Sequence, residues 1–248
     1  MIDYSQARLY NKCNKRRRGF MAIDFPNKTY IAIIGDIKAS KKLKDRSEVQ
    51  KNLNIVLNDI NEKYKYDIYS KFTITLGDEF QGLISSGKSI MAIISEIERR
   101  VYPTKIRIGV GIGGITTDIN RDISIGADGP GYYNARKAIN YLKEDEKRKQ
   151  TNPADIRFEI LDGCDDITLL LNTTLTLMTV IKEAWTERQR EIIWDLLEHQ
   201  DNQIEVAKRI GITQPTVQKS ISKGKYYAYK EAYDTIGQVF KEIGRRDA

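Results

Sequence analysis

The chain has 248 residues, with 41 Lys and Arg against 34 Asp and Glu, one His, two Cys and five Pro. That length suits one or two domains with enough core to fold unaided. With a mean hydropathy of −0.50 and no apolar run near the roughly 20 residues a bilayer needs, a helical membrane span is excluded.

The basic, polar start lacks the apolar stretch of a secretory signal. Cys13 and Cys164 form no CxxC or zinc spacing and point to a reducing, cytoplasmic home. The single His199 excludes His-cluster metal sites and argues against a Ser-His-Asp triad. Any chemistry must run on carboxylates.

The net charge of +7 is uneven: +5 falls in residues 1–20, +2 in 21–182 and zero in 183–248. Lys15-Arg16-Arg17-Arg18 dominates the leader, residues 1–27, which reads as a flexible extension or as sequence preceding a native start at Met21. A basic tail can also grip nucleic acid or anionic lipid. A DNA-binding argument must come from local pattern instead.

In chain order, Tyr30 to Asp36 is an apolar, β-favouring run and reads as a buried strand. Asp45 to Tyr66 spaces Val49, Leu53, Val56, Leu57 and Ile60 as an amphipathic helix. Lys71–Leu76 and Phe80–Ile84 form a hairpin across Gly77-Asp78-Glu79. Ser86 caps a second helix that runs to Val101. Ile106 to Ile115 alternates apolar residues with Arg and Gly as a strand. A loop at 126–131 leads into a third helix, Tyr132–Glu144, followed by a charged stretch, Glu144–Asn152, and a last strand at Arg157–Leu161. This order resembles a ferredoxin-like unit, an antiparallel sheet with helices on one face. The expected class is α+β, with a sheet domain over 28–164 and an all-α domain over 165–248.

From 165 onward the pattern is helical, opening with Ile167–Trp185. Thr186 and Gln189 have capping-box spacing. Asn202 caps a short helix ended by Gly211, and Thr213 caps the next, with Pro215 in its first turn. The spacing of Ala207, Gly211 and Val217 is that of a helix-turn-helix. Its exposed face carries Gln214, Thr216, Gln218, Lys219, Lys223 and Lys225, types that suit base edges and phosphates of double-stranded DNA. The same motif also serves bundles that make protein contacts. An aromatic-rich helix with Tyr226, Tyr229, Phe240 and Ile243 follows, suited to a core or a homodimer.

Asp36 ends the first strand, and Asp78-Glu79 sit in the hairpin turn, so the three acids are expected to converge. With the Ile37 carbonyl they would make an oxygen-rich site for Mg²⁺ or Mn²⁺. Lys38 and Ser40 lie in the following loop, where amides suit phosphate. Asn134 and Arg136, after the Gly-rich 126–131 loop, are placed to meet a nucleotide.

Gly35-Asp36-Ile37-Lys38-Ala39-Ser40 and Leu76-Gly77-Asp78-Glu79-Phe80 resemble the two metal motifs of nucleotide-cyclase palm domains. The second differs by one residue from the GGDEF signature of diguanylate cyclases. The resemblance implies that Asp36 and Asp78 bind two metals, with Glu79 a helper. Against it, Ile74 stands where adenylate cyclases often place a purine-selecting Lys, and Asn134 and Arg136 are two apart instead of four. The whole arrangement, with GPGYYNARKAI between its parts, is similar to the SatD family, bacterial proteins named from a secretion and acid-tolerance locus. The leading expectation is a DNA-binding regulator whose cyclase-like domain binds a nucleoside triphosphate or cyclic nucleotide with Mg²⁺, or dimerises. The alternatives are an active two-metal nucleotidyl cyclase or small polymerase, with Asp36 and Asp78 catalytic, and a non-catalytic scaffold.

Overall fold

The computed structural model describes residues 29–43, 45–148, 154–160 and 165–241. The leader, Cys13, Cys164, residues 149–152 of the charged stretch, Leu161 and Ile243 lie outside them.

β1 (Tyr30–Ile37) is the apolar run, buried along all but its first residue. α1 (Arg46–Lys63) starts at Asp45, whose carboxylate accepts the Glu48 amide at 3.2 Å. β2 (Ile68–Leu76) and β3 (Glu79–Ile84) turn at Gly77-Asp78, where Gly77 takes φ +64. α2 (Ile90–Val101) follows one turn of 3₁₀ helix at Gly87–Ser89, with the Ser86 hydroxyl accepting the Lys88 amide. β4 (Ile106–Gly113), α3 (Pro130–Arg148) and β5 (Ile156–Glu159) complete the sheet unit.

The strands lie in the order β2-β3-β1-β4-β5. β2–β3, β3–β1 and β1–β4 are antiparallel, as expected, whereas β5 joins β4 in parallel through α3. Alternation along β1 sends Ile31, Ile33 and Ile37 into the main core, against Val56 and Leu57 of α1 and Ile93 and Ile94 of α2. Ala32 and Ile34 face the other way, against Tyr132, Ala135 and Ile139 of α3. The expectation of helices on one face is therefore corrected: both faces are covered. The reason lies in β4, whose α3-facing positions include Gly109, Gly111 and Gly113. A Cβ on Gly109 would lie 2.6 Å from the Ala135 carbonyl oxygen and the Ile139 nitrogen. Only bare glycines let the helix backbone rest on that strand.

Both edge strands are closed by an asparagine. The Asn61 amide of α1 pairs with the Phe72 N–H and C=O at 2.7 and 2.9 Å. Asn172 does the same at Phe158 of β5, at 2.8 Å each way. Each imitates a neighbouring strand for one residue and blocks further pairing there.

Asn172 belongs to α4 (Asp165–Glu183), which leads into α5 (Glu187–His199), α6 (Gln203–Ile210), α7 (Gln214–Lys223) and α8 (Tyr226–Phe240). α8 returns to the sheet, where Phe240 stacks on Phe158 with ring centroids 4.7 Å apart. One apolar cluster thus runs from Ile31 to Phe240. No helix among the described residues is long and apolar enough to cross a membrane.

Candidate functional site

The acidic end of the sheet is built by register. Asp36 on β1 pairs across to Glu79 on β3 and to Arg107 on β4, so all three side chains stand on the α3 face. Asp36 is buried, with Oδ1 2.9 Å from Arg107 Nε and Oδ2 2.8 Å from Lys143 Nζ. Arg136 grips Glu79 through both guanidinium nitrogens at 2.6 and 2.8 Å, and this contact raises the Arg136 pKa. Lys143 also lies 3.9 Å from Glu79, and Glu146 reaches Arg107 at 3.0 Å.

Asp36 and Glu79 therefore come together, as the sequence suggests. The Asp78 carboxylate instead lies 3.8 Å from Arg46 at the start of α1, while its carbonyl accepts the Ile37 amide. As arranged, this donor set does not fit Mg²⁺ or Mn²⁺: each Asp36 oxygen and each Glu79 oxygen already has a cationic partner. Among the described residues, no group of three His, Cys, Asp or Glu converges to hold a metal.

Lys38 pairs instead with Asp155 at 2.7 Å, and its amide donates to the Lys105 carbonyl. Ser40 opens a single 3₁₀ turn, Ser40–Lys42, behind Ala39 at φ +51. The Asn134 amide donates to the Ile112 carbonyl at 3.0 Å. The 126–131 loop is zipped to the strand exit, with the Thr116 amide donating to the Asp128 carbonyl and the Gly131 amide to the Gly114 carbonyl. The Lys38, Asn134, Thr116 and Gly131 donors are spent inside the protein.

Arg107 and Lys143 were missed from sequence. Their signals were there: Arg107 shares an alternation with Gly109 and Gly111, and Lys143 falls seven residues, two helical turns, after Arg136.

The second candidate is on the C-terminal helices. The Thr186–Gln189 capping box is present, and Asn202 accepts the Ile204 and Glu205 amides at 2.9 and 3.2 Å. Gly211 closes α6 at φ +72. Thr213 holds the cap position of α7 without capping it: its hydroxyl pairs with Thr216 Oγ1 at 2.9 Å. Val206, Ala207, Val217 and Ile221 are buried and pin α6 and α7 to the core.

Gln214, Thr216, Gln218, Lys219, Lys223 and Lys225 are all exposed. Gln203 ties Gln214 and Gln218 together at 2.8 and 2.6 Å, which orients three amides as one patch. Lys208 and Arg209 are engaged by Glu205, Asp195 and Asp201. Lys219, Lys223 and Lys225 make no ion pair among the described residues. Lys225 sits at φ +56 and breaks the chain between α7 and α8, so the two helices are separate.

Among solved structures, the chain is similar to a bacterial light-regulated adenylyl cyclase, at 15% identity over 56% of this chain and 78% of that one, TM-score 0.37. It is also similar to the dimeric guanylyl cyclase domain of the RhoGC fusion protein from the aquatic fungus Blastocladiella emersonii, at 17% identity, 45% and 73% coverage, TM-score 0.33. A third likeness is to a regulator of polyketide synthase expression from Bifidobacterium adolescentis, at 11% identity, 86% coverage of each and TM-score 0.27. No curated protein sequence matches. The SatD family model matches residues 30–232, and the chain belongs to the SatD family.

Proposed function

We propose that this protein is a DNA-binding regulator, in which α6 and α7 form a helix-turn-helix and α7 enters the major groove. The sheet unit serves as its support and not as a catalyst. The observation that carries the reading is the outer face of α7. Two exposed glutamines suit adenine edges once their contacts to Gln203 and Ser222 exchange for base contacts. Three lysines with no ion pair among the described residues suit phosphates. The buried side of the same helix, Val217 and Ile221, fixes how that face is presented.

The ion pairs at Asp36 and Glu79 support the non-catalytic role of the sheet. A two-metal reaction would require several protein cations to leave carboxylates they already neutralise.

Changing Lys219 and Lys223 to Ala tests the reading by fluorescence anisotropy on mixed-sequence duplex DNA. Binding is expected to weaken, and the slope of log affinity against log salt to flatten by about 1.8, as two phosphate contacts are lost. An unchanged slope and affinity would refute it.

A further inference from the structure

We propose that the outer face of α4 is the surface on which two copies of this chain pair. The proposal deepens the regulator reading, since two half-sites multiply affinity for DNA, but its physical basis is independent of DNA.

α4 carries leucines on both its inner and its outer side. Its inner side packs Leu171, Leu175 and Met178 into the core. Its outer side leaves Leu169 67%, Leu170 60%, Leu177 60% and Val180 44% exposed. With Thr173 and Ala184, these residues recur three and four apart and make one straight stripe. From Leu169 to Ala184, about 22 Å, the stripe residues themselves carry no charge, and Glu183 beside the end of the stripe is paired with Lys105. A helix with apolar residues on both sides belongs between two packed layers, and among the described residues this one has a layer on one side only. The outer faces of the other helices differ: α1 exposes Lys51, Asp59 and Glu62, and α5 exposes Glu187, Arg188 and Glu191.

The shape beside the stripe favours a second copy as the occupant. A hollow of about 230 Å³ lies between α3, β5 and α4, bordered by Tyr141, Ile156, Leu169 and Thr173. Arg157 stacks on the Tyr141 ring at 3.7 Å and holds that wall in place. Protruding leucines next to a hollow are what a two-fold interface needs, because each copy offers both parts at once. The four outer side chains expose roughly 400 Å² of apolar surface, about half of one partner's share in a standard interface. Tyr141 and Thr173 extend the patch.

Sedimentation of the full-length chain at micromolar concentration is expected to give twice the 28.5 kDa chain mass. Leu170→Glu with Leu177→Glu should return it to the single-chain mass, with unchanged circular dichroism because both positions are exposed. Leu177 lies near the middle of the stripe and so near the two-fold axis. Leu177→Cys, with Cys13 and Cys164 changed to Ser, should therefore form a covalent dimer on oxidation, a readout that survives if the double Glu variant folds poorly. A wild-type chain that stays single at all concentrations, with α4 covered by another segment, would overturn the proposal. So would a dimer that the Glu variant leaves intact and the Cys variant fails to cross-link. The Lys219→Ala, Lys223→Ala protein should keep the dimer mass, so failure of the DNA reading would be seen separately.

Discussion

Lys182→Met is expected to destabilise the protein by about 3–5 kcal/mol and to lower its melting temperature by roughly 10 °C. Lys182 is buried between Glu98 at 2.5 Å and Asp155 at 2.9 Å, and Asp155 also takes Lys38 at 2.7 Å. These four charges come from α4, α2, the approach to β5 and the end of β1. They form the polar seam where the C-terminal helices meet the sheet. Removing Lys182 leaves two buried carboxylates with one cation between them, and the cost is the charge left without a partner.

The pH dependence differs from group to group. Burial raises the Glu98 pKa by more than Lys182 lowers it, so acidification favours the folded state at Glu98 and opposes the trend at Asp155. Burial alone would lower the Lys182 pKa, but Glu98 and Asp155 outweigh it and hold it well above its ordinary 10.5. Its contribution is then present below about pH 10 and lost as pH rises through the elevated value. Burial alone would raise the Asp155 pKa, and Lys182 and Lys38 outweigh that, leaving it below 3.8. That contribution is present above pH 4 and lost on further acidification. Thermal melts from pH 3 to 11 should show the onset of both losses in the wild type. A Lys182→Met protein melting within 2 °C of wild type would mean the seam carries little.

Gly111→Ala is expected to cost about 3 kcal/mol by overpacking. Its Cβ would run into the Ala135 amide nitrogen and the Gly131 carbonyl oxygen, both backbone atoms of α3. A flexible side chain could step aside, but a helix backbone must move as a body. That movement would also shift Arg136 and Lys143, which α3 holds against Glu79 and Asp36. Gly114→Ala is the control: a Cβ there meets nothing within 4 Å. Urea melts should separate the two variants clearly, and equal midpoints would contradict the close packing of α3 on β4.

What could be read in the sequence was local chemistry. The run of Tyr30–Asp36, the capping pair Thr186 and Gln189, Asn202, and Gly211 at the end of α6 each act within a few residues, and spacing reveals them. Thr213 shows the limit even there, because its hydroxyl had a second partner in Thr216. The acidic end was half legible. Strand register brings Glu79 opposite Asp36, but the partners that neutralise Asp36 come from β4 and α3, 71 and 107 positions further along the chain. The Arg136 that grips Glu79 is 57 positions from it. Lys38 was assigned to phosphate because of its neighbours in sequence, whereas its ion partner is 117 residues away. The covering of both sheet faces escaped for a related reason. Alternating glycines on β4 announce a close approach without naming the element that approaches.

The most direct measurement of the DNA-reading claim is photocross-linking from single positions of the full chain to duplex DNA. A benzophenone side chain placed at Gln218, on the outer face of α7, should cross-link to DNA, and one at the exposed Ile55 of α1 should not. Cross-links at Ile55 with none at Gln218, under salt where the protein still binds, would contradict the account.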